Sequence, residues 1–191
     1  MNAPPHQCIL MPDVVPDHVA LLATLLAEVA WTSHMASRRT ASMGVPYNYA
    51  GASYPVTAWH PAVKALATKL TPHLGFTSTN CLLNCYPTGR HTMGWHADDT
   101  TILAEGTGVG IVSLGATRTL KLRARDDSGF IYEKLKLEAG SLLLMPAEMQ
   151  AYWRHAIKRE GVDEPRVSLS FRQIVKWPEV PPEVPPLAGQ Q

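Results

Sequence analysis

The sequence predicts an α+β fold with a β-sandwich or jelly-roll core. Three observations predict it. Two stretches before Gly75 have helical spacing, and the chain from Asn80 to Ile174 breaks into short β-type runs separated by turn signals. Of 191 residues, 46% are hydrophobic and 17% charged. That is enough apolar material for one sizeable core, and the length suits one domain better than two.

The first helix opens at Asp13 or at Pro16-Asp17 and runs through Val19, Leu22, Leu25, Leu26 and Val29, with acidic Asp17 suited to the first turn. From Thr32 to Trp59 the chain is polar and aromatic, with little periodicity; it holds Arg38, Arg39, Met43, Tyr47, Tyr49, Gly51 and Tyr54. A long irregular segment in a small domain is usually functional or mobile. Pro61 starts a second helix through Val63, Leu66 and Leu70 to His73. Strands follow at Asn80–Tyr86, Gly110–Leu114, Arg118–Arg123, Ile131–Leu137, Ser141–Met145, Ala151–Ile157 and Arg166–Ile174. Their turns lie at Pro87-Thr88-Gly89, Asp126 to Gly129, Ala139-Gly140 and Gly161 to Pro165. The expected domain covers residues 1–177. The tail, 178–191, carries five prolines and is expected to be extended or disordered.

Composition excludes several classes. With 17 Lys+Arg against 16 Asp+Glu the net charge is +1, so nucleic-acid binding needs a local basic face. No apolar run reaches membrane-spanning length, and Met1 to Gln7 does not read as a secretory signal. Cys8, Cys81 and Cys85 form no CxxC pair and read as reduced thiols. A cytoplasmic monomer without membrane contact is expected.

The sharpest local signal is His96-Ala97-Asp98. In an extended segment both polar side chains point the same way. One imidazole and one carboxylate are two thirds of a 2-His-1-carboxylate site for Fe(II). His155, in a late strand, is the best second histidine; His6, His18, His34, His60, His73 and His91 fit less well. On spacing alone, a chance HxD and an ordinary strand histidine stay open as the alternative. The last strand alternates: Val167, Leu169 and Phe171 on one face, Arg166, Ser168, Ser170 and Arg172 on the other. That polar face is either solvated or an interior lined by two guanidinium groups, which suit a carboxylate ligand. Asn84 and Tyr86 likewise share a face.

Taken in order, Asn84-x-Tyr86, His96-x-Asp98, His155 and Arg166-x-Ser168-x-x-x-Arg172 resemble the AlkB family of Fe(II)- and 2-oxoglutarate-dependent dioxygenases, whose pattern is NxY, HxD, a distal His and RxNxxxR. The match runs from Asn80 to Val175. Val112 to Gly115 and Glu138 to Leu143 are similar to further family stretches. The resemblance implies a double-stranded β-helix (jelly-roll) core, N-terminal helices and a nucleotide-recognition lid at about 32–59. It implies His96, Asp98 and His155 as iron ligands. Arg166 would hold the distal carboxylate of 2-oxoglutarate with help from Asn84 and Tyr86. Arg172 would lie near the metal-bound end, and O2 would be the second cosubstrate. Ser168 stands where many members carry the longer Asn.

For the substrate, Arg39 to Gly44 followed by Tyr47-x-Tyr49-x-Gly51 resembles the lid of the members that repair DNA. Aromatic groups can stack on an extruded base and Arg can hold phosphate. The implied substrate-binding residues are Arg39, Met43, Tyr47, Tyr49, Trp95 and Arg118. Lys121, Arg123 and Arg125 share one face of an extended segment and read as a phosphate track or as a solvated face. The implied function is oxidative demethylation of N-alkylated bases in DNA or RNA, releasing formaldehyde, succinate and CO2. Two alternatives stand beside it: a hydroxylase of a small molecule or protein side chain, with Met43, Tyr47 and Tyr54 lining an apolar pocket, and a non-catalytic nucleic-acid-binding module.

Overall fold

The computed structural model describes residues 6–33, 36–49, 52–125 and 131–176. In chain order the elements are β1 (Ile9–Met11), α1 (His18–Glu28), β2 (Arg39–Gly44), β3 (Tyr47–Tyr49), β4 (Ala52–Tyr54), α2 (Pro61–Leu74), β5 (Asn80–Tyr86), β6 (Met93–His96), β7 (Gly108–Gly115), β8 (Arg118–Ala124), β9 (Ile131–Leu137), β10 (Leu142–Pro146), a 3-10 turn (Ala147–Ala151), β11 (Trp153–Ile157) and β12 (Arg166–Arg172). One sheet has the order β1-β10-β7-β12-β5-β2, a second β6-β11-β8-β9, and β3 and β4 form a separate hairpin. All of these pairings are antiparallel.

Apolar side chains close two layers. Between the helices and the larger sheet lie Leu25, Val63, Leu66 and Leu70 with Leu83, Val112, Leu169 and Phe171. Between the two sheets lie Leu82, Val109 and Leu143 with Leu120, Leu122, Leu137 and Ile157. The arrangement is jelly-roll-like. Because the larger sheet is covered on both sides, β5 and β12 are buried along their whole length. The polar face of Arg166 to Arg172 is therefore interior, not solvated. β8 keeps a strict alternation of buried and partly exposed residues, the mark of a sheet with one open face. Among the described residues no helix is long and apolar enough to cross a membrane.

Both helices start where the sequence places them. In α2, Pro61 occupies the first turn, the His60 side chain accepts the Ala62 N–H, and Gly75 takes the left-handed conformation that ends the helix. In α1 the buried stripe is narrower than expected. Leu22, Leu25 and Val29 face the core, while Val19 is 70% exposed and Leu26 lies at the surface. The last two sit seven residues apart on the opposite side of the helix.

The largest correction concerns the segment from Thr32 to Trp59. It is not irregular: it holds β2, paired to β5 from Arg39 to Gly44, and the β3–β4 hairpin. Its small polar residues hide the strand. Thr40 shares a hydrogen bond with the Tyr54 hydroxyl, and Ser42 accepts from the Asn80 side-chain amide. Short strands β1 and β6 also escaped the pattern, and the expected strand start at Ala151 is the 3-10 turn. The Asp126–Gly129 turn and the Pro-rich tail lie outside the described residues.

Candidate metal centre

Strand register brings the two histidines together. β6 and β11 are antiparallel neighbours, and His96 stands directly opposite His155. Directly opposed side chains on one face are close neighbours; here the ring centroids are 4.1 Å apart. Asp98 follows β6 by two residues and turns its carboxylate back to the pair. Its Oδ1 lies 3.5 Å from His96 Nε2 and 3.9 Å from His155 Nε2. One ligand atom from each of the three residues lies within 4.8 Å of the others, the one such group among the described residues.

Neighbouring groups fix how these atoms point. His96 Nδ1 donates to the Gly94 carbonyl at 2.9 Å, which leaves the Nε2 lone pair facing Asp98. Asp98 Oδ2 accepts from an Arg172 Nη at 2.8 Å, so Oδ1 is the oxygen left for an ion. The Asp98 backbone N–H donates to Gln150 Oε1 at 2.9 Å, tying the HxD loop to the turn before β11. Burial alone pushes the Asp98 carboxyl up. Arg172, His96 and His155 together outweigh it and hold the group well below the usual carboxylate range. Burial and the nearby His96 push His155 down to about 4, against the opposing pull of Asp98. At neutral pH the set is thus one carboxylate and neutral imidazole at His155, the protonation states a metal requires. Two imidazole nitrogens and one carboxylate oxygen on one side of a cavity fit Fe(II) with open coordination positions.

A partly open cavity lies between the sheets. His96, Asp98 and His155 line it together with Asn84, Tyr86, Arg166, Ser168 and Arg172. Arg166 is 1% exposed. One of its Nη atoms donates to Ser113 Oγ at 2.9 Å, its guanidinium carbon lies 5.3 Å from the centre of the Tyr86 ring, and its Nε is buried without a partner. It forms no ion pair among the described residues, and burial pushes its guanidinium below the ordinary value. A buried cation with donors to spare is what an incoming carboxylate completes. Ser168 sits directly across from Asn84 and Ser113. Asn84 Oδ1 accepts from Arg38 Nε at 2.7 Å.

The expected substrate residues divide. Tyr47 is buried, with its ring 4.6 Å from the Arg172 guanidinium carbon. Trp95 is partly exposed on the outer side of β6, with Arg123 and Lys158 near its ring. Met43 does not line the cavity: with Ala41 it packs into the helix-side core. Arg39 has the parity of Ala41 and Met43 on β2 and is exposed, on the side away from the cavity. Arg118 is 1% exposed and does not face solvent phosphate; it donates to the Thr88, Gly89, His91 and Lys158 carbonyls and pairs with Glu160. It braces the loops around β6. The Tyr49 side chain and Gly51 lie outside the described set. Arg38, Ser113 and Gln150 were not singled out by sequence. Arg38 differs from Arg39 only in strand parity, and Gln150 is a lone polar residue in the Met145 to Trp153 run.

Comparison with known proteins gives the family. The model of the 2OG-Fe(II) oxygenase superfamily matches residues 12–172. The human alpha-ketoglutarate-dependent dioxygenase alkB homolog 3 is 30% identical, over 85% of this chain and 63% of its own. The bovine DNA oxidative demethylase ALKBH2 is 31% identical, over 74% of this chain and 55% of its own. The chain thus spans less than two thirds of these relatives. The solved structure of OsALKBH1 shares the fold with a TM-score of 0.61 at 17% identity, covering 91% of this chain and 99% of that one. The chain belongs to the 2OG-Fe(II) oxygenase superfamily as an AlkB-like member, and the family's cofactor and cosubstrates are Fe(II), 2-oxoglutarate and O2.

Proposed function

We propose that this chain catalyses oxidative demethylation of N-alkylated bases in DNA or RNA, of the 1-methyladenine and 3-methylcytosine type, with formaldehyde, succinate and CO2 as products. The observation that carries the reading is the shared cavity, in which the His96, Asp98 and His155 cluster and the unpaired cation of Arg166 face one space. Iron, when bound, supplies O2 activation coupled to decarboxylation of 2-oxoglutarate. In this reading His96, Asp98 and His155 hold it. Arg172 keeps Asp98 ionised and turned. Arg166 grips the far carboxylate of 2-oxoglutarate, with Ser113 fixing its angle. Leu120, Leu137 and Ile157 line the cavity and exclude water from the reacting carbon. The relatives' names support an alkylated nucleic acid as substrate. Segment 32–59 is then the nucleotide-recognition lid, and 1–177 one dioxygenase domain.

The test is anaerobic reconstitution with Fe(II) and 2-oxoglutarate, then oxygen exposure with DNA and RNA oligonucleotides bearing 1-methyladenine. Succinate and the methyl mark are followed by mass spectrometry. Succinate with demethylation is the expected result. Succinate without demethylation of either oligonucleotide overturns the substrate and turns the search to small molecules and protein side chains. No succinate from folded, iron-loaded protein overturns the cosubstrate assignment.

A further inference from the structure

The four-stranded sheet turns one face to the cavity and the other outward. Strand alternation assigns the outer residues. They are Arg154 on β11, Lys121 and Arg123 on β8, and Lys134 and Lys136 on β9. Lys121 and Arg123 are partly exposed between the buried Leu120, Leu122 and Ala124; Lys134 and Lys136 are exposed. Register makes the concentration sharper. Arg154 stands directly opposite Arg123, and Lys121 directly opposite Lys134. Like charges directly across a ladder destabilise it, so folding alone gives no reason for two adjacent pairs of this kind. Arg125 follows at the end of β8. At the β6 edge the Trp95 ring has the Arg123 guanidinium carbon 4.5 Å and the Lys158 Nζ 5.1 Å from its centre.

Among the described residues no carboxylate neutralises this face. Glu160 at its border is taken by Arg118 and the Thr119 N–H, and Glu133 by His6. Among the described residues none of Lys121, Arg123, Lys134, Lys136 and Arg154 forms an ion pair. The whole chain is only +1, so this is a local accumulation, not a reflection of overall charge.

We propose that the outer face of the β6-β11-β8-β9 sheet is a phosphate track that binds the sugar–phosphate backbone of a single nucleic-acid strand. Its class of partner rests on the nucleic-acid reading above, and it adds a surface separate from the cavity. Three strand spacings carry the track across roughly 15 Å, enough for several phosphates. It ends at Trp95, whose neighbour His96 faces the cavity on the other side of the same strand. Phosphates between the opposed cations remove the repulsion within the sheet.

The test compares the full chain with its Lys121→Ala/Lys134→Ala/Lys136→Ala variant, reading anisotropy of unmodified, labelled oligothymidylate across a salt series. For single strands each phosphate contact contributes about 0.7 to the slope of log K against log salt. The variant is expected to lose about 2 units of slope and at least tenfold in affinity at low salt. The Lys→Arg version at the same three positions is expected to keep both. Melting at or above the wild-type temperature shows that the alanine variant folds. Unchanged slope and affinity in that variant overturn the proposal, as does binding lost only to anionic phospholipid vesicles while oligothymidylate still binds. The probe carries no lesion. Failure of demethylation with the slope effect intact therefore removes the reaction and leaves the surface.

Discussion

Arg166 and Arg172 share one face of β12 and are in opposite situations. Arg172 has the Asp98 carboxylate at 2.8 Å, whereas Arg166 has the neutral Ser113 hydroxyl and, among the described residues, no carboxylate partner. The first is part of a closed ionic group; the second waits for an anion. Arg166→Lys keeps the charge but loses the planar fork, and an ammonium cannot form two parallel hydrogen bonds. The apparent KM for 2-oxoglutarate is expected to rise tenfold or more, about 1.4 kcal/mol, read from succinate formation at varied cosubstrate. A wild-type KM would remove the carboxylate role. His155 gives a prediction in pH. Its folded value of about 4 lies below the ordinary 6.5, so the unfolded chain takes up the proton first as pH falls. Stability of the metal-free protein is therefore complete above about 6.5 and lost between 6.5 and 4. The depressed Asp98 group adds a further loss as pH falls below the ordinary carboxylate range. Melting temperatures at stepped pH with chelator present check this, and a flat profile across that window contradicts it.

Strands differed in how openly the sequence declared them. β12 was legible because Val167, Leu169 and Phe171 alternate with Arg166, Ser168, Ser170 and Arg172. The candidate metal cluster was legible because HxD is a local pattern and His155 sits in a strand with the parity that brings it opposite His96. β2 was not, because Thr40, Ala41, Ser42 and Met43 carry no contrast between faces although all four are buried. Without the strand, Arg38 and Arg39 look equivalent, yet one residue of parity sends Arg38 to Asn84 and Arg39 to the opposite side. Gly44 ends this strand at φ 86°, where a Cβ would lie 2.1 Å from the Thr79 carbonyl oxygen. Both the conformation and the contact oppose any side chain. Gly44→Ala is expected to cost more than about 1 kcal/mol, lowering the melting temperature by roughly 2–4 °C per kcal/mol. An unchanged melt would mean that the β2–β3 junction relaxes freely.

At the scale of the molecule, burial decides what each polar residue can be. The same alternation that makes β12 a cavity wall makes the outer side of β8 a solvent surface. Only the presence or absence of a covering layer separates the two, and a single strand's pattern does not contain that information. Arg118 and Lys121 show it within one strand: three residues apart, one is enclosed by backbone carbonyls and the other is partly exposed on the uncovered face. Gln150 was illegible for a related reason, since its partner Asp98 lies 52 positions away. The site also spans unequal parts of the fold. His155 is on β11, which has a neighbour on either side, while His96 is on β6, four residues long and hydrogen-bonded to β11 alone. Short margin strands breathe at lower free energy than the interior. An ion gripped by His96, Asp98 and His155 thus latches the margin of the sheet to its centre. Fraying of β6 would carry His96 away from His155 and loosen any ion the two hold.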